Sequence, residues 1–136
     1  MSAAHIIPPI ADPPGSRTHI LGVINISDYH IMDVPLQLNE ITFGMPAIND
    51  YSRTLTPNHY KIGTTLNHSI HFHVHDRFRA DELTYIEAET SWAKDGRAMM
   101  STKIFSKDDL LIATCVQEAF YVLKEGALDR KSGPML

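Results

Sequence analysis

Leu66-Asn67-His68-Ser69-Ile70-His71-Phe72-His73-Val74-His75 alternates side chain by side chain. Leu66, His68, Ile70, Phe72 and Val74 share one face of an extended strand, and Asn67, Ser69, His71, His73 and His75 share the other. A half-buried strand therefore starts after Gly63, with Thr65 on the polar side. Downstream, a second strand runs near 82–92 and meets the tight-turn sequence Lys94-Asp95-Gly96. A third spans about 97–106, Lys107-Asp108-Asp109 reverses the chain, and a fourth covers about 110–123. Four consecutive strands joined by short turns read as an antiparallel meander.

Upstream the period changes. Ser16 is a candidate N-cap, and from Arg17 to about Met32 no proline intervenes. Ile20, Val23, Ile24, Ser27 and Ile31 follow the spacing of one helical face, and Leu21 and Ile26 widen it. The pattern predicts a helix buried on more than one side, ended at or just before Pro35. Its β-branched residues weaken intrinsic propensity, so burial has to hold it. Such a helix needs wrapping, and a coiled antiparallel sheet supplies that: the fold class is α+β, a sheet curled around a long central helix. Residues 1–16, with Pro8, Pro9, Pro13 and Pro14, read as an extended lead-in whose Ile6, Ile7 and Ile10 can pin it to a sheet edge. Residues 17–124 form the domain, with loops around at most one short strand over 36–62, and 125–136 a loose tail.

With 136 residues there is room for one domain and its core. A net charge of −4 provides no basic field for nucleic acid. The single cysteine, Cys115, excludes an intrachain disulfide framework and fits a reducing compartment. No apolar run reaches the roughly 18 residues of a membrane span, and the N-terminus lacks a secretory pattern. A cytoplasmic protein is expected.

The eight histidines are the unusual count. His71, His73 and His75 put three imidazoles on one strand face, a workable zinc or iron arrangement if another ligand stood elsewhere. No second ligand cluster stands out, so the row reads as a solvent-facing or interface row and no metal is expected. His68, on the apolar face, reads as a hydrogen-bonded core residue. Asp28 has two readings: a buried carboxylate with a shifted role as base or water acceptor, or a group meeting solvent near the helix end. Thr65 and Gln117 lie on different strands and are structural when taken alone, although Gln117 interrupts an apolar strand and asks for a partner. Cys115 reads as core packing.

Three segments carry a resemblance. Thr65-Leu66-Asn67-His68-Ser69-Ile70-His71-Phe72-His73 with Arg77-Phe78-Arg79-Ala80-Asp81-Glu82-Leu83, the late Leu110-Leu111-Ile112-Ala113-Thr114-Cys115-Val116-Gln117-Glu118, and Ile26-Ser27-Asp28-Tyr29 resemble the second half of the type II acyl-CoA thioesterases. The motifs keep the family's order across roughly residues 17–123. Asn67 stands where the family usually has Asp, and His71 where it has Trp.

The resemblance implies a hot-dog fold and hydrolysis of acyl-CoA, or a carrier-bound acyl group, to carboxylic acid and free thiol. It implies that Asp28, Thr65 and Gln117 orient and activate the attacking water, with no covalent serine and no cofactor. It also places Asn67, His68 and His71 beside the substrate, with a backbone N–H near Gly22 and Val23 polarising the carbonyl. Family members are usually two fused hot dogs, so one hot dog implies a homodimer or higher homo-oligomer. The same pocket would serve a dehydratase, isomerase or cyclase of a specialised pathway, or a non-catalytic acyl-binding subunit. The ending Gly133-Pro134-Met135-Leu136 is not a Ser-Lys-Leu peroxisomal address, which leaves that compartment to family analogy alone.

Overall fold

A computed structural model of the chain describes residues 2–28, 31–38 and 59–125. Within them the elements run β1 (Ser2–Ala4), α1 (Arg17–Asp28), α2 (Asp33–Leu38), β2 (Tyr60–Phe72), β3 (Thr84–Lys94), β4 (Arg97–Ser106) and β5 (Leu111–Leu123). The strands make one antiparallel sheet in the order β1-β3-β4-β5-β2. The meander β3-β4-β5 is as the alternation predicts. The first long strand starts earlier than expected, at Tyr60, and crosses over to pair with β5 as an edge. The fifth strand comes from the lead-in, where Ser2 and Ala4 pair with Ile86 and Thr84. Expectations for the middle of the 36–62 segment and for the tail concern 39–58 and 126–136, which lie outside the described residues.

The turns form where the residues permit them. Asp95 and Gly96 both take positive φ, 53° and 75°, the two-residue hairpin conformation whose twist matches the flanking strands. At the β4–β5 turn, Asp109 takes φ 60°, and the Ser106 hydroxyl accepts the N–H groups of Asp108 and Leu110 at 3.2 Å each. That side-chain bonding is why a Lys-Asp-Asp sequence without glycine closes this hairpin.

Helix α1 buries His19, Gly22, Val23, Ile26 and Ser27, a single stripe at i, i+3, i+4, i+7 and i+8. The sequence predicts burial on several sides, yet Ile24 is exposed and Leu21 is 64% exposed. The helix is described to Asp28, and Ile31 and Met32 lie in a turn rather than in the helix. Pro35 does not terminate it. It sits in the first turn of α2, where its missing N–H has no helical carbonyl to leave unpaired. Val23 and Ile26 join Phe78, Met100, Ile104 and Ile112 in one core cluster. Each such side chain contributes about 1.5–3 kcal/mol relative to exposure. Gly22 lets the helix approach closely: a Cβ there would lie 2.5 Å from the Ala80 Cβ.

The lead-in is tied down along residues 78–81. Ile6 N–H donates to the Ala80 carbonyl at 2.8 Å, and Gly15 N–H to that of Phe78 at 3.0 Å. Arg79 forms a two-nitrogen fork on the Asp81 carboxylate at 2.9 and 3.0 Å and also donates to the Ile10 carbonyl at 2.6 Å. The second Asp81 oxygen accepts the Ile10 N–H at 2.7 Å. His19, fully buried, accepts the Ala80 N–H at Nδ1 (3.1 Å), so its Nε2 carries the proton that goes to the Asp12 carbonyl, also 3.1 Å away. These bonds make an ordered strap of a proline-rich segment. Among the described residues, no helix is long and apolar enough to cross a membrane.

Candidate active site

Strand β2 contains an irregularity that decides which side chains face α1. Thr65 pairs with Ala119, Asn67 with Glu118 and His68 with Gln117, so two steps along β2 match one step along β5. This is a β-bulge, and it reverses the side-chain phase at Leu66. Ala119 and Gln117 both face the core. Thr65, which strict alternation assigns to the polar face with Asn67, therefore comes to the same side as His68. Leu66, expected inside, is 52% exposed.

Three side chains then converge from α1, β2 and β5. Gln117 donates from Nε2 to Asp28 Oδ1 at 2.6 Å and to Thr65 Oγ1 at 2.7 Å. Thr65 Oγ1 donates its own proton to Asp28 Oδ1 at 3.3 Å. Both protons of the Gln117 amide are thus engaged. Its orientation is set, because a reversed amide would face the carboxylate with its oxygen. Gln117 is 1% exposed, and its Oε1 is a buried acceptor without a partner. Such an orphan group is costly to bury.

Of the two readings for Asp28, the structure shows the second with a partnership added. The residue closes α1 and is exposed, yet one oxygen is held by two donors. A carboxylate at a helix C-terminus meets the negative end of the helix dipole. The Gln117 and Thr65 donors offset that.

Neighbouring side chains support the geometry, and two of them, Tyr121 and Met32, lie outside the motifs. Tyr121 lies four residues beyond Gln117 on the same face of β5, and its hydroxyl donates to the Met32 carbonyl at 2.8 Å. That bond fixes the turn after α1. Burial raises the Tyr121 phenol above the ordinary tyrosine value, and the nearby Asp33 charge adds to the shift, so the donor stays protonated. Met32 Sδ lies 3.5 Å from Thr65 Oγ1. Ser27, beside Asp28 and fully buried, donates to the Ile24 carbonyl at 2.7 Å and contacts His68 Nε2 at 3.2 Å. With the hydroxyl proton directed at Ile24, the Ser27 oxygen is the acceptor for His68 Nε2–H. This links the last turn of α1 to β2, as expected of a hydrogen-bonded histidine on the apolar face. Cys115 is buried, and desolvation pushes its thiol up to about 11, with the neighbouring Ser27 hydroxyl acting in the opposite direction.

The remaining sequence candidates lie elsewhere. Gly22 and Val23 are buried in the interior of α1, beyond the first four N–H groups that a helix leaves unpaired. Asn67 and His71 are exposed on the other face of the sheet from Gln117. Among the described residues there is no group of three or more potential metal ligands.

Residues 7–121 match the family described as the acyl-CoA thioesterase C-terminal domain. Acyl-coenzyme A thioesterase 8 of Mus musculus is 33% identical over 91 residues, covering 62% of this chain and 28% of the mouse protein. The Rattus norvegicus protein is 35% identical over 78 residues, covering 52% and 24%. The chain thus spans about a quarter of the length of these relatives. Among solved structures, the acyl-CoA thioesterase II TesB2 of Mycobacterium marinum superposes with a TM-score of 0.63 at 21% identity, covering 96% of this chain and 42% of that one. That likeness carries the fold, a helix on a five-stranded antiparallel sheet of hot-dog type. With the family match spanning most of its length, the chain belongs to the acyl-CoA thioesterase C-terminal domain family.

Proposed function

We propose that this domain hydrolyses acyl-CoA, or a carrier-bound acyl thioester, to the carboxylic acid and free thiol. The observation that carries this reading is the convergence of Asp28, Thr65 and Gln117 through bonds of 2.6, 2.7 and 3.3 Å from positions far apart in the chain. An exposed carboxylate, a hydroxyl and a fixed amide suit a water molecule better than a covalent nucleophile. Water donates one proton toward the exposed Asp28, while the Gln117 amide, bonded to both Asp28 and Thr65, holds the receiving carboxylate in place. The water oxygen attacks the thioester carbonyl carbon, and Asp28 takes the proton. Collapse of the tetrahedral adduct breaks the C–S bond, and the leaving thiolate recovers that proton.

Leu21, Ile24 and Asp28 lie at i, i+3 and i+7, so two exposed apolar side chains lead along α1 to the carboxylate. This stripe suits an acyl chain, or the surface of a second hot-dog unit that closes over it. Among the described residues β2 has only β5 as a sheet neighbour, and Ile62 and Leu66 are exposed along it. A second copy of this domain, or the other half of a two-domain protein, completes the site on that side.

Thiol release from a panel of acyl-CoA substrates tests the proposal. Asp28→Asn and Gln117→Leu should each lower kcat by roughly a hundredfold or more, the scale of lost acid–base or positioning catalysis. Equal rates for Asp28→Asn and the unaltered protein would sink it. Product masses distinguish hydrolysis from dehydration or isomerisation in the same pocket.

A further inference from the structure

The outer face of the sheet carries a second constellation that the thioester reading does not use. Beyond the bulge, β2 resumes strict alternation: Ile70, Phe72 and Val74 pack against the core, and His71, His73 and His75 are exposed. His71 pairs with Thr114 of β5, and the ladder continues past the end of β2 through a bond from the His73 N–H to the Ile112 carbonyl at 2.9 Å. His71 thus projects from β2 on the face opposite Gln117, and His73 follows in a bend just past the strand end, tied to β5 by that bond.

Their rings have centroids 5.2 Å apart and are tilted by 59°. Two imidazoles bound to one tetrahedral ion, with metal–nitrogen bonds of about 2.0–2.1 Å, place their ring centres about 5 Å apart. The observed separation matches that spacing. His73 is also oriented: its Nε2 lies 3.0 Å from Thr114 Oγ1. With Nε2–H donating to that hydroxyl, Nδ1 keeps the lone pair a metal takes. This is the outer partner that ligating histidines commonly have. Lys103, the neighbour of Thr114 on β4, is turned to Glu87, whose carboxylate lies 3.5 Å from its Nζ.

We propose that His71 and His73 form a two-imidazole chelate for a borderline divalent cation, copper(II), nickel(II) or zinc(II), with its other coordination positions open to water or an external ligand. Neutral imidazole nitrogens select these ions over magnesium or calcium, and affinity rises from zinc or nickel to copper. Thr114 is a positioning residue for His73. The site is independent of the thioester chemistry, on the other side of the sheet, and stands or falls separately.

Calorimetric titration of the full chain with nickel(II), with copper(II) EPR alongside, tests the assignment. One equivalent should bind, and His71→Ala or His73→Ala should each weaken binding by about tenfold or more. The EPR spectrum should lose one of two equatorial nitrogens in either variant. His75→Ala should leave the affinity unchanged, and Thr114→Val should lower it while far-ultraviolet circular dichroism stays the same. Undiminished binding in His71→Ala or His73→Ala, or loss in His75→Ala with both others intact, overturns the proposal.

Discussion

Thr65 Oγ1 receives one proton and gives another: Gln117 donates to it at 2.7 Å and it donates to Asp28 at 3.3 Å. Thr65→Val keeps the shape and removes both roles. It leaves one Gln117 N–H without its partner at a buried position, costing about 1–3 kcal/mol. Chemical denaturation should show that loss together with a fall in thiol release. Cys115 gives a second test at this scale. Its buried thiol, held up to about 11, is almost wholly protonated at pH 8. Iodoacetamide should leave it untouched in the folded protein and label it promptly in denaturant, with mass spectrometry counting the adduct. The candidate residues could be named before the structure, because the resemblance implies Asp28, Thr65 and Gln117. Their mutual contacts could not, since nothing in a single chain's periodicity says which carboxylate an amide 89 positions away will meet. Tyr121 was hidden for the same reason: its importance lies in reaching the Met32 carbonyl.

Among elements, the hairpins β3-β4 and β4-β5 could be read from alternation and turn residues alone, because each is local. The bulge in β2 could not. Side-chain alternation has a phase, and inserting one unpaired residue changes it without leaving a composition signal. Reading Leu66 as buried and Thr65 as outward is the direct result. Deleting Leu66 alone should restore the plain pleat and keep Thr65 opposite Ala119 on the Asp28 side, so thiol release should persist; a fall to background would show that the bulge does more than set the phase. The reading of α1 erred in a related way: Leu21 and Ile24 are apolar but face outward beside Asp28. Sequence hydropathy cannot tell a surface kept for a ligand or partner from one kept for the core. The lead-in strap offers a pH test. The Arg79 hydrogen bond, chiefly, and the Ile10 N–H hold the Asp81 carboxyl down to about 2, against desolvation, which raises it. A depressed folded value stabilises the protein above the unfolded carboxylate range near 4, and this contribution disappears as pH falls through about 2. Thermal melts between pH 5 and 2 should show a steep acid limb that Asp81→Asn flattens, with a lower Tm for the variant at neutral pH.

At the largest scale, the described residues leave the β2 edge and the Leu21–Ile24 stripe uncovered. If a second unit covers them, light scattering should report a dimer, and Leu66→Lys should shift it toward monomer and reduce thiol release in parallel. An unchanged association state in that variant would remove β2 from the interface. The strand order has another consequence, in time. β3, β4 and β5 are joined by tight turns, whereas β2 reaches β5 only after two intervening strands are in place, and β1 reaches β3 across most of the chain. Local pairings cost little loop entropy and distant ones cost more, so the hairpins should form early and the outer strands dock late. Asp28, Thr65 and Gln117 belong to α1, β2 and β5, and they meet only when that last docking is complete. In refolding experiments, secondary structure should therefore return before hydrolysis does. The proposed hydrolysis then serves as a clock for the slowest step of the fold.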